Sequence, residues 1–179
     1  WGDSLASWVN SFSDWFVDTF RDITQWIKDF VTNGLLNPLQ DLLADSPWFI
    51  TAAAILVIAF LLGGRRALVA TVVTLAVILG TGLWYDAMVT LSMTLLAALM
   101  TMGIGVGIGV WMGRSRRVDA LVRPFLDGLQ TLPAFVYLIP LLALFGAGRF
   151  LAIVAAVAYA APVAIKIAAD GIRGVAPTT

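Results

Sequence analysis

Five long stretches without a charged residue dominate the sequence and restrict the folds that it can adopt. They cover residues 46–64, 67–85, 87–113, 128–148 and 150–165. A helix needs roughly 20 apolar residues to cross the hydrocarbon core of a bilayer. The three middle stretches reach or approach that length, and the last reaches it if the helix continues past Lys166, whose long side chain can extend to the interface. The pattern predicts an all-α integral membrane protein with about five transmembrane helices.

Composition agrees with a membrane protein and excludes several kinds of site. Of the 179 residues, 12% are charged and 60% are hydrophobic, whereas about 25% of the residues of a soluble domain are charged. The sequence has no Cys, His or Glu, which excludes disulfides and the common zinc sites. It has no Walker signature and no pair of groups within a span that indicates hydrolysis. We therefore expect no catalytic residues, no metal, no cofactor bound by this chain and no nucleic-acid partner; its surroundings are a lipid bilayer.

The arginines between the apolar stretches predict the orientation of the chain. Residues 1–46 carry seven Asp against two basic residues, whereas residues 47–179 carry nine basic residues against four Asp. Most of these basic residues lie in the first and third joints and after the fifth stretch: Arg65, Arg66, Arg114, Arg116, Arg117, Arg123, Lys166 and Arg173. Cytoplasmic loops of membrane proteins are enriched in Lys and Arg. The distribution predicts a multi-pass protein of the cell (inner) membrane, with its N-terminus outside and residue 179 on the cytoplasmic side.

Residues 1–46 form an acidic segment without a span of their own. Large apolar residues recur at steps of three and four, with aspartates between them: Trp8, Phe12, Trp15, Phe16, Phe20, Ile23, Trp26, Ile27 and Phe30. This spacing favours an amphipathic helix at the membrane interface, followed by a second short amphipathic piece at residues 35–43. We expect both to be extracytoplasmic. A plain anchor, or the outer rim of a packed bundle, explains the pattern equally well.

A run of glycines lies in the third apolar stretch: Gly103, Gly105, Gly107, Gly109 and Gly113. Its register does not fit the G-x-G-x-x-G pattern of dinucleotide-binding proteins. It does supply pairs of small residues four apart, which let transmembrane helices approach closely. The residues therefore favour helix packing.

The fourth apolar stretch contains two prolines, Pro133 and Pro140. If a helix begins at Pro124 and continues outwards, each of these prolines removes the N–H that would bond the carbonyl four residues earlier, at Leu129 and Val136. Freed backbone groups at membrane depth are tolerated only against protein or a wet cavity. Gln130, Thr131 and Tyr137 are the nearby polar residues. The residues alone leave open a translocation path and an ordinary kinked helix.

A resemblance to a known family favours the translocation path. The segments WYDAMVTLSMTLLAAL, GIGVGIGVWMGRSRRVDALVRPFLDGLQTLPAFVYLIPLLALFGAG and AAPVAIKIAADGIRGVAP resemble the membrane permease of binding-protein-dependent ABC importers, in the osmoprotectant branch. DGLQTLPAFVYLIP is the most specific part. The resemblance is close over residues 84–177 and looser over residues 1–83. It identifies residues 47–83 as two N-terminal transmembrane helices and residues 84–179 as the first part of the ABC transmembrane type-1 domain.

The resemblance implies a type I ABC importer permease-like helical bundle that imports quaternary ammonium osmoprotectants such as glycine betaine. It also implies a second permease copy, ABC ATPase subunits that bind ATP and Mg, and an extracytoplasmic solute-binding protein or a fused binding domain. Phe135 and Tyr137 would then be aromatic partners for the cation. The candidate path residues are Gln130, Thr131, Pro133, Phe135, Tyr137 and Pro140.

The two ends of the sequence also carry an expectation. Because it begins at Trp1, we interpret it as trimmed at the N-terminus, and it stops at Thr179, where the family continues into a Glu-Ala-Ala loop that docks on the ATPase. We therefore expect the coupling element to be missing from these residues.

Two other functions remain open. One is a channel or secondary transporter, which would need ionisable residues facing a cavity, with Lys166 the nearest. The other is a non-transporting scaffold.

Overall fold

The computed structural model describes residues 2–174, except for the side chains of residues 2–10, 12–14, 16–17 and 134. Over this part of the chain the structure is helical and contains no strand, which confirms the all-α fold. Two single-turn π-helices, Thr32–Leu36 and Asp41–Asp45, flank the short helix α2. The α-helices are α1 (Gly2–Val31), α2 (Asn37–Gln40), α3 (Trp48–Thr81), α4 (Trp84–Arg114), α5 (Arg116–Thr131), α6 (Ala134–Phe145) and α7 (Arg149–Gly174).

The chain divides into two compact units, and α4 contributes to both. The small unit is Thr32–Leu95, and the large unit contains the residues up to Val31 and those from Leu96 onward.

In the small unit, α3 is interrupted at Gly64, where φ is 66° and ψ is −158°. A positive φ is readily adopted only by glycine. Ile55 and Thr71 lie on opposite sides of the break and line the same hollow of about 300 Å³. In an unbroken helix these two residues would be about 24 Å apart, at 1.5 Å per residue. The chain therefore folds back at Gly64, in the joint that carries Arg65.

The predicted amphipathic piece at residues 35–43 is helical and packs within the small unit. Leu36 is completely buried there. The side-chain amide of Gln40 donates a hydrogen bond to the hydroxyl of Tyr85 at 3.3 Å. This bond joins the segment to the first turn of α4.

The helix α1 belongs to the large unit and carries the regularly spaced aromatic residues. Trp26 and Phe30 are exposed and stack with ring centroids 5.6 Å apart. Near the end of α1, the Lys28 ammonium donates to the carbonyl of Phe145, the last residue of α6, at 3.0 Å. Three members of the expected aromatic face, Trp8, Phe12 and Phe16, lie outside the described side chains. The interfacial location of α1 stays a prediction.

The helix α7 supplies most of the core of the large unit, and α5, α6 and the second half of α4 pack against it. Apolar residues recur on α7 at the spacing that places them on neighbouring turns of one side. Its buried apolar residues are Phe150, Leu151, Ile153, Val157, Ala161, Pro162, Ile165 and Ala169.

Within residues 2–174, three helices are long and apolar enough to cross a bilayer, judged by length and composition: α3, α4 and α7. The sequence predicted about five transmembrane helices; this criterion counts α3 once, although its helix is broken at Gly64. Residues 46–64 and 67–85 fall mainly in α3, on either side of its break. Residues 128–148 are divided between α5 and α6, whose axes are bent by 97° and which could form a fourth span, broken or re-entrant.

The start of α5 also differs from the sequence expectation, which placed a helix start at Pro124. The helix begins at Arg116, and Pro124 lies inside it. The reason is Ser115, whose hydroxyl caps the helix by accepting a hydrogen bond from the Val118 N–H at 3.4 Å. Serine is a favoured N-cap because it satisfies one of the free N–H groups of the first turn.

Candidate functional site

The helical backbone of the large unit is interrupted between α5 and α6. The first of these helices ends at Thr131, Leu132 is extended with φ −78° and ψ 134°, and Pro133 immediately precedes α6. A proline disfavours helical dihedrals in the residue before it, because its ring clashes with that residue. The expectation that Pro133 lies inside one kinked helix is therefore wrong: two helices meet there at 97°.

Tyr137 satisfies backbone groups that this bend leaves free. Its hydroxyl lies 2.8 Å from the carbonyl oxygen of Leu129 and 2.8 Å from that of Leu132. Leu129 lacks a helical partner because the residue four positions later is Pro133, which has no N–H. A tyrosine hydroxyl has one proton to donate, so the two carbonyls share it. The sequence indicated the free carbonyl of Leu129 but not the group that bonds it.

An apolar hollow of about 480 Å³ lies between α4, α5, α6 and α7. Among the described residues, no charged side chain lines it. Two of its lining residues are prolines inside helices, Pro140 of α6 and Pro162 of α7. Each deprives the carbonyl four residues earlier of its helical bond. The sequence analysis did not single out Pro162, although the reasoning that singled out Pro140 applies equally to it.

The six candidate path residues are not gathered in one place. Tyr137 and Pro140 line the hollow. The other four do not line it and are exposed at or next to the bend: Gln130, Thr131, Pro133 and Phe135. The exposed fraction of Phe135 is 76%, and the Thr131 hydroxyl donates to the Gly128 carbonyl at 2.8 Å.

The glycine run of α4 has two different faces. Gly105, Gly109 and Gly113 lie against α7. A Cβ atom built on them would lie, respectively, 2.8 Å from the Cβ of Ala164, 2.5 Å from the Cβ of Ala168 and 2.7 Å from the Cβ of Ile172. Gly103 and Gly107 are exposed, and no described heavy atom beyond their own helix and chain neighbours lies within 4 Å of a Cβ built on them. Backbone approach to α7 therefore requires glycine on one face only.

Ion pairs join α5 to α7, and the sequence analysis did not identify them. The three that cross between the helices are Lys166–Asp127 at 2.6 Å, Arg123–Asp170 at 2.6 Å and Arg173–Asp119 at 2.8 Å. We call this set the charged ladder. Charged residues recur every four positions on α5, with signs −, + and −, and every three or four positions on α7, with signs +, − and +. Such a spacing keeps each set on one side of its helix, and the matching signs were the available signal.

The ladder is tied most firmly at the first turn of α5. There Asp119 accepts hydrogen bonds from both Arg123, at 3.1 Å, and Arg173, at 2.8 Å. The guanidinium of Arg173 also donates to the carbonyl of Met112, near the end of α4, at 2.8 Å. Asp119 thus helps to hold three helices together.

Comparisons with known proteins match this part of the chain to a described family. Residues 103–177, which contain the glycine run, the bend, the hollow and the charged ladder, match the family described as "Binding-protein-dependent transport system inner membrane component". The chain is 38% identical over 174 residues to the glycine betaine/proline betaine transport system permease protein ProW of Escherichia coli (strain K12). It is 34% identical over 182 residues to the glycine betaine/carnitine transport permease protein GbuB of Listeria monocytogenes.

A third relative is the glycine betaine transport system permease protein OpuAB of Bacillus subtilis (strain 168), with 30% identity over 174 residues. Each of the three alignments covers 96% of this chain, but only 48%, 61% and 60% of the respective relative. The chain therefore spans about half to three fifths of the length of these relatives. Residues 103–177 of this multi-pass membrane protein belong to the family of inner membrane components of binding-protein-dependent transport systems, in the type I ABC permease class, and osmoprotectant permeases are among the relatives of the chain.

Proposed function

We propose that this chain is the membrane-spanning part of the permease subunit of an ATP-driven importer for quaternary ammonium osmoprotectants such as glycine betaine. The observation that carries the proposal is the 38% identity to a glycine betaine/proline betaine permease, in an alignment that covers 96% of this chain. In this proposal the chain supplies the translocation path. ATP, with Mg, is hydrolysed on separate ABC ATPase subunits, and an extracytoplasmic binding protein or a fused binding domain delivers the substrate. A second permease copy completes the path.

The geometry of the large unit supports a path that changes shape. A path that opens alternately to two sides needs helices that can bend or separate. The extended backbone at Leu132 and the prolines at positions 133, 140 and 162 supply such places around one hollow. These residues lack the continuous backbone bonding that makes a helix rigid.

Aromatic groups near the hollow and the bend suit a cation that cannot lose its charge. A quaternary ammonium group has no N–H to donate, so a protein recognises it by aromatic faces, worth ~0.5–2 kcal/mol per contact. In this proposal the ring of Tyr137 faces the substrate within the hollow. Gln130, Thr131, Pro133 and Phe135 contribute from the exposed side of the bend, where a second copy would complete the path.

The proposed orientation places α1 outside and the joint between α4 and α5 in the cytoplasm. It rests on the arginine distribution, with Arg116 and Arg117 exposed at that joint. The chain has no Cys, so single cysteines report their side of the membrane. Ser11→Cys and Arg117→Cys should react with an impermeant thiol reagent from opposite sides. Arg117 is preferred to Ser115 because Ser115 caps α5. Labelling of both positions from one side would contradict the orientation.

Uptake of glycine betaine tests the function. The full importer, with permease, ATPase and binding protein, is reconstituted in vesicles, and labelled betaine is measured inside them. We expect accumulation against a gradient that requires ATP. Equilibration of betaine without ATP would instead indicate a channel, and uptake driven by an ion gradient would indicate a secondary transporter. If betaine did not move under any of these conditions, the non-transporting scaffold would be the remaining function. The similarity to named transport permeases does not favour these three alternatives.

A further inference from the structure

The two ends of the charged ladder are held with different strength. At one end, Asp119 bonds two arginines, and 16% of its side chain is exposed. At the other end, Asp127 makes a single ion pair with Lys166, and 55% of the Asp127 side chain is exposed. Exposed single ion pairs contribute little to stability, because water competes for both charges. The helix α5 is therefore fastened at its first turn and only lightly held near its end.

The lightly held end lies beside the apolar hollow. Leu126 and Ile165 directly precede Asp127 and Lys166 in sequence, and both line the hollow. Each is 4% exposed. The Asp127–Lys166 pair thus joins α5 to α7 next to two walls of the hollow.

The chain just beyond this pair gives α5 freedom to move. Helix α5 ends at Thr131, four residues after Asp127, and continues through extended Leu132 to Pro133. Helical bonding does not continue across this bend. Movement of the last turn of α5 about Asp119 therefore requires loss of the Lys166 contact and of the Tyr137 hydroxyl bonds, and it stretches the Arg123–Asp170 pair, of which Asp170 is 59% exposed. Movement of the first turn would instead break the contacts of Asp119 with both arginines.

We propose that the Asp127–Lys166 ion pair is a latch that holds together the wall of the hollow between α5 and α7, and that α5 pivots at Asp119 when the latch opens. In the structure the latch is closed. Its use during substrate movement rests on the proposed function, but the latch itself does not. Opening separates α5 from α7 beside Leu126 and Ile165 and exposes these two buried side chains to molecules outside the chain.

The test measures access to the hollow with a single thiol. Because the sequence has no Cys, Leu126→Cys places one thiol in the wall, and its reaction rate with N-ethylmaleimide is measured in membranes that contain the full importer. Adding Asp127→Asn or Lys166→Gln, which break the pair from opposite sides, should raise the rate by up to about fivefold, the upper end of what loss of an exposed ion pair gives. The double variant Asp127→Lys/Lys166→Asp exchanges the two charges and keeps a pair of opposite sign. It should return the reaction rate towards that of the parent Leu126→Cys protein.

A matched control removes an exposed ion pair elsewhere. Asp18→Asn breaks the pair with Arg21 in α1, whose charged atoms are 2.9 Å apart, and should not change the rate. Val157→Cys, in the α7 wall of the hollow, is a second reporter if Leu126→Cys does not accumulate. Unchanged rates in both Asp127→Asn and Lys166→Gln would overturn the latch, and so would an exchange variant that reacts as fast as the single variants.

Betaine uptake in the same membranes separates the latch from the proposed function. If Asp127→Asn and Lys166→Gln raise the labelling rate but the parent importer shows no ATP-dependent uptake, the latch stands and the proposed function fails. If uptake is normal but the labelling rate does not respond to Asp127→Asn or Lys166→Gln, the proposed function stands and the latch fails.

Discussion

The helix α7 packs against α4 and against α5, and the two interfaces have different chemistry. Against α4, small residues bring the backbones together: a Cβ built on Gly109 would lie 2.5 Å from the Cβ of Ala168 and 2.8 Å from the carbonyl oxygen of Ile165. Against α5, long charged side chains bridge the helices next to a hollow of about 480 Å³.

The difference indicates which part of the large unit is rigid and which part moves. Closely packed backbones cannot slide past one another without steric overlap, because dense packing leaves no space for displacement. Exposed ion pairs can exchange their partners for water at little cost. We infer that α4 and α7 form a rigid pair and that the end of α5 is the part that changes position.

The largest expected effect comes from filling the α4–α7 interface. Gly109→Leu should reduce the free energy of unfolding by about 3 kcal/mol or more, the upper part of the range for overpacking, because the new side chain meets the α7 backbone. Gly107→Leu is the matched control, two residues away on the open face. Yield and thermal unfolding of the detergent-solubilised protein measure the effect.

The glycine comparison also tests assembly. On the sequence alone, Gly107→Leu is expected to disrupt packing against another helix. Equal loss of stability in both variants would show that the open face is covered in the assembled importer. Normal behaviour of Gly109→Leu would refute the rigid interface.

A smaller effect is expected from the hydroxyl at the bend. Tyr137→Phe removes the donor shared by the carbonyls of Leu129 and Leu132, and a typical intramolecular hydrogen bond contributes about 0.5–1.5 kcal/mol to stability. We expect lower thermal stability and slower betaine uptake. The sequence hypothesis, in which only the ring contacts the cation, instead predicts normal uptake. Tyr159→Phe is the control, since Tyr159 is an exposed tyrosine of α7.

Tyr137→Ala separates the two roles of the residue. If Tyr137→Phe keeps stability and uptake while Tyr137→Ala loses uptake, the ring is the functional part and the hydroxyl bonds are dispensable. If both variants lose stability and uptake together, the residue acts through the bend.

The smallest effect on stability is expected for the prolines. Pro133→Ala and Pro140→Ala restore backbone donors, and the opposing change in the entropy of the unfolded chain is about 0.4–1 kcal/mol. We expect both variants to fold and to bind the ATPase, but to transport several-fold more slowly, because straighter helices resist the change of shape. Uptake is measured together with ATPase activity at saturating binding protein. Normal uptake in both proline variants would show that Pro133 and Pro140 serve helix packing and not the change of shape.

The sequence determined those properties of the protein that depend on residues close together in the chain. Charge-free stretches predicted membrane-spanning helices, and the motif at residues 127–140 indicated the family. The break at Gly64 follows from glycine's access to positive φ. The small-residue spacing of α4 also predicted close helix approach. Each of these signals is carried by local composition, spacing or backbone freedom.

Only the tertiary structure decided which groups meet. It selected Gly105, Gly109 and Gly113 rather than Gly107 for the α7 interface, and it gave Tyr137 two carbonyl acceptors. It also paired Asp127 with Lys166, which lie 39 positions apart. The physical reason is that hydropathy and helical period repeat within one element, whereas an ion pair or a close backbone approach depends on the separation and rotation of two helices. Those quantities are set only when the helices pack together.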